Sequence, residues 1–382
     1  MTGSAGRAWL TLLPLLAGGC ASIDLSKVAR SDHFNGQRFV NPDGVHGKVG
    51  ERNQGPLALL EHLLEPPYRS WPASVPVTPA VPARRVEGQA MQVTWVGHAS
   101  VLVQTQGLNI LTDPVWAQRA SPVRFAGVKR VRAPGIRLAD LPKIDLILLS
   151  HDHFDHLDIG TLGLLWRRDR PLIVTGLGND QILRRYGIRS AARDWGGRVA
   201  VRPGIEVRLD RAHHWSQYRP GDRNKTLWTG FTVTLPGGNL YYAGDTGEGD
   251  MRWAIEARRH GPVRLALLPI GAYHFGGGAT DNHIGPVQAV TAFQQLGAAW
   301  ALGVHWGTFE LTSEGIDQPR EVLRATLAER RIAADRFRAT EAGATWTIGD
   351  MSVTDTTAMA PNRIRYVPAP QQPSVPKAQS GA

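Results

Sequence analysis

Apolar and polar positions along the chain fall into short runs, and the runs predict strands before helices. Gln92 to Val96, Ser100 to Thr105 and Leu108 to Thr112 follow one another closely, the last two joined at a turn around Gly107. A strand-rich opening of this kind argues against a dinucleotide-binding order, in which strand and helix alternate from the start. Ile144 to Leu149 then reads Ile-Asp-Leu-Ile-Leu-Leu, a strand buried on most of its surface that runs straight into Ser150-His151. Further strands are predicted at Leu172 to Thr175, Ile205 to Ala212, Trp228 to Leu235, Leu240 to Ala243, Leu265 to Pro269 and Trp300 to Val304, with helices between several of them. Two mixed sheets that share one core and carry helices on their outer faces bury every apolar surface in this pattern. The expected fold is therefore α/β (α+β), an αββα sandwich over residues 91–350, with active residues on loops along one edge.

The two ends differ from this middle. Arg7, the apolar run Ala8 to Leu16 and the small residues before Cys20 outline a signal peptide over residues 1–20, too short to span a bilayer. Residues 21–90 are rich in Pro, Gly and polar residues and predict a wrapping arm with one short helix from Leu57 to Leu64, stopped by Pro66-Pro67. Residues 360–382 carry almost no large apolar side chains and predict a disordered tail.

Composition sharpens this picture in two places. The formal charge of +10 favours anionic partners, yet no run of five or six consecutive basic residues occurs, which argues against nucleic acid. The single cysteine excludes an intrachain disulfide.

Chemistry concentrates at predicted strand ends. His151-Asp152-His153-Phe154-Asp155-His156 sets three imidazoles and two carboxylates on the loop leaving a buried strand. Histidine nitrogen and aspartate oxygen suit Zn²⁺ and related ions, and the spacing of His151 and His153 lets both rings reach one ion from an extended loop. Asp155 and His156 can face a second ion. His213-His214, Gly244-Asp245-Thr246-Gly247 and Val304-His305 follow three more predicted strands. Alone, each would read as a packed histidine or a turn aspartate; their shared placement points to one metal centre. Asp113-Pro114 reads as a turn after a strand and stays outside the candidate set.

The ordered set of His-x-His-x-Asp-His, a later His, Gly-Asp-Thr-Gly and a final His resembles the metallo-β-lactamase superfamily. That resemblance implies one metal on His151, His153 and His214, a second on Asp155, His156 and His305, and Asp245 between them. It prefers His214 to His213, because the family's histidine precedes a tryptophan and Trp215 follows here. Zn²⁺ is the foremost candidate for both ions, with Fe²⁺ or Mn²⁺ as alternatives. Thr94-Trp95-Val96-Gly97-His98-Ala99-Ser100, Leu111-Thr112-Asp113-Pro114-Val115, Arg119-Ala120-Ser121-Pro122, Pro269-Ile270-Gly271-Ala272-Tyr273 and His305-Trp306-Gly307-Thr308-Phe309 are similar to a narrower group, the phospholipase D branch that hydrolyses N-acyl-phosphatidylethanolamine. The segment from His274 to Asp281, with three consecutive glycines, departs from the pattern of animal members.

The implied activity is a binuclear metal-dependent phosphodiesterase that cleaves N-acyl-phosphatidylethanolamine-like phospholipids. Two divalent ions about 3.5 to 4 Å apart can ionise a bridging water, so no serine or cysteine nucleophile is needed. Asp155, Asp245 and His283 are the expected catalytic residues, and His98, Tyr273 and His283 the expected substrate contacts, with His98 placed to support a ligand from behind. The alternatives are a lactonase or cyclic-phosphate hydrolase of the same fold and, behind both, a non-catalytic envelope binding protein. Leu16-Ala17-Gly18-Gly19-Cys20 resembles a bacterial lipoprotein processing site, although the leucine usually found three residues before the cysteine stands one position earlier. It implies lipidation of Cys20 and a place at the membrane face of the cell envelope.

Overall fold

The protein is described by a computed structural model that covers residues 22–43, 71–275, 278–279, 281–349 and 351. The Leu57 to Leu64 helix, the 1–20 signal segment with Cys20, and the 360–382 tail lie outside these residues.

The first sheet is built from β1 (Met91–Gly97), β2 (Ser100–Thr105), β3 (Leu108–Thr112), β4 (Leu146–Leu149), β5 (Leu172–Gly176) and β6 (Ala191–Arg193). The second takes β7 (Arg198–Arg202), β8 (Ile205–Asp210), β9 (Gly230–Thr234), β10 (Asn239–Tyr242), β11 (Val263–Pro269), β12 (Trp300–Val304) and β13 (Phe337–Arg338). The last strand, β14 (Thr345–Ile348), returns to the free edge of β1. The spatial orders are β14-β1-β2-β3-β4-β5-β6 and β13-β12-β11-β10-β9-β8-β7. Each sheet is mixed in the same way: three antiparallel pairings are followed by three parallel ones, which start at β3 in one and β10 in the other.

Period-two alternation assigns the faces. In β4, Leu146 and Leu148 enter the core between the sheets, where they share one cluster with Val207, Leu209, Phe231 and Val233. Ile147 and Leu149 point the other way, into a layer with Leu162 and Leu165 of α1 (Ile159–Asp169) and Ile182 and Leu183 of α2 (Asn179–Arg185). A strand apolar at every position is thus explained by burial on both faces. The outer face of the second sheet is covered by α3 (Arg252–Arg258), α4 (Pro286–Leu296) and α5 (Gln318–Glu329), with Ala254, Val290, Phe293 and Leu323 in the core. The αββα sandwich is therefore as the sequence predicts. No helix among the described residues is long and apolar enough to cross a membrane.

Two strand boundaries differ from the predicted ones for one reason. β8 stops at Asp210 rather than Ala212, and β9 starts at Gly230 rather than Trp228. Beyond the Asp210–Gly230 pair, side chains take over the hydrogen bonding: Trp228 Nε1 donates to Ala212 O at 2.9 Å, and Thr229 Oγ1 to Asp210 O at 2.9 Å. The segment is released from the ladder just where it must turn to present His213 and His214.

Residues 22–43 lie on this corner. Phe34 and Phe39 are buried against Ala212, Leu227 and Trp228. His33 bridges Asp32 at 2.6 Å and Asp194 at 2.7 Å and stacks on Trp195, while Arg211 holds Asp32 at 2.6 Å. Burial opposes a charge on His33, but the two carboxylates outweigh it and raise its pKa above 6.5. A raised histidine pKa adds stability that is complete below the unfolded value and fades as pH rises through the folded one. Proteolytic cleavage within residues 22–43 is therefore expected to accelerate as pH rises from below 6.5 through the raised value of His33. A cleavage rate indifferent to pH would remove His33 as the clamp.

Candidate metal centre

The candidate residues arrive on loops that leave strand ends, and the approach is tight. Gly244, at φ +62°, follows β10, and a Cβ there would stand 2.7 Å from the Ser150 Cβ after β4. Only a residue without a side chain lets these two loops converge. Three non-glycine residues at the site also hold left-handed backbone: His98 (φ 53°), Asp113 (φ 28°) and His305 (φ 62°). His305 N donates to His98 O at 3.0 Å, so two of these costly conformations brace each other.

Which ring nitrogen faces inward follows from what the other one bonds. Ser150 Oγ donates to Asp113 Oδ2 at 2.5 Å, so its 2.9 Å contact with His151 Nδ1 makes that nitrogen the donor. His151 Nε2 is left with a lone pair. His214 Nδ1 lies 2.9 Å from Asn282 O, a carbonyl that can only accept, so its Nε2 also carries a lone pair. His153 presents Nδ1 to both, 2.8 Å from His151 Nε2 and 3.3 Å from His214 Nε2. Nitrogens on one tetrahedral ion bound at 2.0–2.1 Å would stand about 3.3 Å apart. Those two separations come close to that value, and the lone pairs of His151 and His214 Nε2 converge on His153 Nδ1 as a shared cation would require.

A second group forms beside it. Asp155 Oδ2 is 3.5 Å from His156 Nε2 and 3.3 Å from His305 Nε2. Asp245 Oδ2 lies 3.1 Å from each of those nitrogens and 3.9 and 3.8 Å from His151 and His214 Nε2, which puts its carboxylate between the two groups. Asp245 Oδ1 and both nitrogens of His305 are buried without a hydrogen-bond partner. Buried polar atoms without a partner in this number fit a resident cation.

Electrostatics divides the two groups. Burial holds His151 and His214 well below the ordinary histidine pKa, and His153 at about 4. In the second group burial is outweighed by Asp245 and Asp155, which keep His156 well above the ordinary value and His305 at about 9. The same two histidines hold the Asp245 carboxyl well below the carboxylate range against its burial. Three neutral imidazoles therefore stand beside two carboxylates whose charge is balanced by two protonated imidazoles, and a divalent cation bound in the second group would displace those protons.

The remaining candidates separate by position. His98 is buried and places Nε2 at 2.9 Å from Asp155 Oδ2, behind that carboxylate. His283 is half-buried, with Nδ1 3.8 Å from Asp245 Oδ2 and no hydrogen-bond partner, so it faces the centre. Tyr273 is buried with its ring on Gly285 and beside His274, and its hydroxyl has no hydrogen-bond partner among the described residues. His213 turns outward, with Nδ1 2.6 Å from Asp43. His214 rather than His213 therefore enters the cluster. Asn41 holds that choice in place by bonding the His214 backbone twice, at N and at O.

Sequence reasoning missed Asp113. The turn is there, but the carboxylate is wholly buried and accepts four hydrogen bonds: from Ser150 N at 2.7 Å, Ser150 Oγ, His156 Nδ1 at 2.6 Å and Tyr242 Oη. It fixes the tautomer that points His156 Nε2 inward, and through Ser150 that of His151. An aspartate closing a fully buried strand was the available signal.

Comparison with known proteins supplies context for this geometry. A beta-lactamase superfamily domain model matches residues 108–306. An uncharacterised protein of Mycobacterium tuberculosis is 34% identical over 303 residues, spanning 78% of this chain and 80% of its own length. The N-acyl-phosphatidylethanolamine-hydrolyzing phospholipase D 1 of Caenorhabditis elegans is 32% identical over 334 residues, spanning 83% of this chain and 94% of its own. Among solved structures, a metallo hydrolase from the archaeon Ignicoccus hospitalis aligns with a TM-score of 0.52 at 24% identity, covering 69% of this chain and 100% of that one. At that identity the structural likeness speaks for the fold.

Proposed function

Because the chain belongs to the metallo-β-lactamase superfamily and is a metal-dependent hydrolase of that fold, we propose that it is a phospholipase D-type phosphodiesterase acting on N-acyl-phosphatidylethanolamine-like phospholipids. The observation that carries the reading is the likeness to the worm enzyme over 94% of that enzyme's length, together with a cluster whose charge and lone pairs suit two divalent ions. His151, His153 and His214 would hold one, Asp155, His156 and His305 the other, with Asp245 shared. Ions held there would supply Lewis acidity and bring the pKa of a bound water toward neutrality.

The chain's own residues account for the rest. Asp155 is kept in one orientation by the 2.9 Å bond from His98, so its carboxylate cannot swing away when substrate binds. His283 Nδ1, unpartnered and facing Asp245, is placed to hydrogen-bond a phosphoryl oxygen or to pass a proton to the departing alkoxide. Zn²⁺ is the ion we expect.

Turnover of the purified, metal-assayed protein on N-acyl-phosphatidylethanolamine, phosphatidylcholine, a simple phosphodiester and a lactone tests the proposal. The expected result is cleavage of the N-acylated lipid, abolished by a chelator and restored by Zn²⁺. Turnover of the lactone alone would transfer the site to a different substrate class.

A further inference from the structure

Beside the metal centre a hairpin projects whose tip no part of the described chain covers. Arg119–Ala120 and Val128–Lys129 form its two short antiparallel arms. Its base is fixed: Asp158 accepts from Trp116 N and Ala117 N, and the buried Arg130 guanidinium donates to Ala117 O and Val115 O while lying 4.8 Å over the Phe309 ring. Phe309 in turn meets His98 edge-on at 5.1 Å, so the base is one ring away from the site. The tip is apolar and open. Phe125 is 84% exposed, the most exposed large apolar residue among those described, and Val123 is 39% exposed.

Charge frames this tip. From Trp116 to Arg132 the chain carries Arg119, Arg124, Lys129, Arg130 and Arg132 and no Asp or Glu. Arg124 and Lys129 are exposed and make no ion pair among the described residues. Arg119 is spent on the hairpin itself, donating to Gly127 O at 2.6 Å. An aromatic wedge set between two solvated cations on a rigid base matches an anionic bilayer surface, where apolar atoms enter the acyl boundary and cations meet phosphate. A protein groove would call for a wider apolar face than one phenyl ring and one valine.

We propose that this hairpin docks the enzyme on anionic phospholipid membranes, with Phe125 and Val123 inserted and Arg124 and Lys129 on headgroup phosphates. The purpose of the contact rests on the phospholipid reading of the site, but the contact can be measured without turnover. Co-sedimentation of the full-length, metal-loaded protein with vesicles of phosphatidylcholine, or of phosphatidylcholine and phosphatidylglycerol in equal parts, provides the readout. Binding is expected on the mixed vesicles, weakened about tenfold by Phe125→Ser, which loses one buried aromatic side chain, and at least as much by Arg124→Glu with Lys129→Glu. Metal content and thermal midpoint should stay unchanged in both variants. Arg259→Glu with Arg324→Glu, on exposed positions just after α3 and on α5, should bind as the parent does. Equal losses in that control, or none in the hairpin variants, would overturn the proposal. Hairpin-dependent binding without cleavage of any lipid would keep the docking surface and discard the substrate.

Discussion

Asp245→Asn is expected to strip the centre of at least one metal ion and to lower kcat by on the order of a thousandfold or more, since the lost stabilisation of the transition state is several kcal/mol. The Asp245 Oδ2 stands within 3.9 Å of nitrogens from His151, His156, His214, His283 and His305. Asparagine keeps the shape and removes the charge, so five imidazoles would face one neutral amide, with Asp155 the only carboxylate left among the proposed ligands. Two anions and five ligand histidines suit two divalent cations; one anion does not. Metal content by mass spectrometry, read beside turnover, separates this outcome from misfolding. A variant with its full metal complement and turnover within about tenfold of the parent would show that Asp245 holds no shared position.

The parts of this site that can be read from sequence are those whose signal is local. Three histidines and two aspartates within six residues are costly without a cation, and apolar runs ending in His or Asp place each group at a strand end. What cannot be read is orientation. Whether His156 points Nδ1 or Nε2 into the centre depends on Asp113, 43 residues earlier, and on the hydroxyl of Tyr242, 129 residues after Asp113. The choice between His213 and His214 depends likewise on Asp43 and Asn41, 170 and 173 residues away. No local pattern encodes such partners, because a carboxylate in a turn and a carboxylate that fixes a tautomer are the same residue in the same Asp-Pro dipeptide. Strand ends blur for a related reason: tryptophan and threonine favour strands by propensity, yet Trp228 and Thr229 spend their side chains on bonds outside the ladder.

Asp113→Asn therefore makes the sharper test of how the centre is held, because Asp113 belongs to neither proposed ligand group. An amide in its place turns one acceptor oxygen into a donor, and it would meet the Ser150 and Tyr242 hydroxyls and the His156 Nδ1 proton at a fully buried position. Each buried donor left without an acceptor costs about 1–3 kcal/mol, so the metal-free protein should lose about 2–5 kcal/mol of stability. Below its unfolding temperature the variant should bind metal about 10–100-fold more weakly, the range for loss of a group that orients a metal-ligating histidine. Tyr242→Phe removes one of the four donors and leaves the carboxylate, so it should lose stability with much less effect on metal affinity. Zinc-binding isotherms of the two variants at one temperature decide the matter: equal affinities would reduce Asp113 to a packing residue, whereas a gap confined to Asp113→Asn would place tautomer control under its carboxylate.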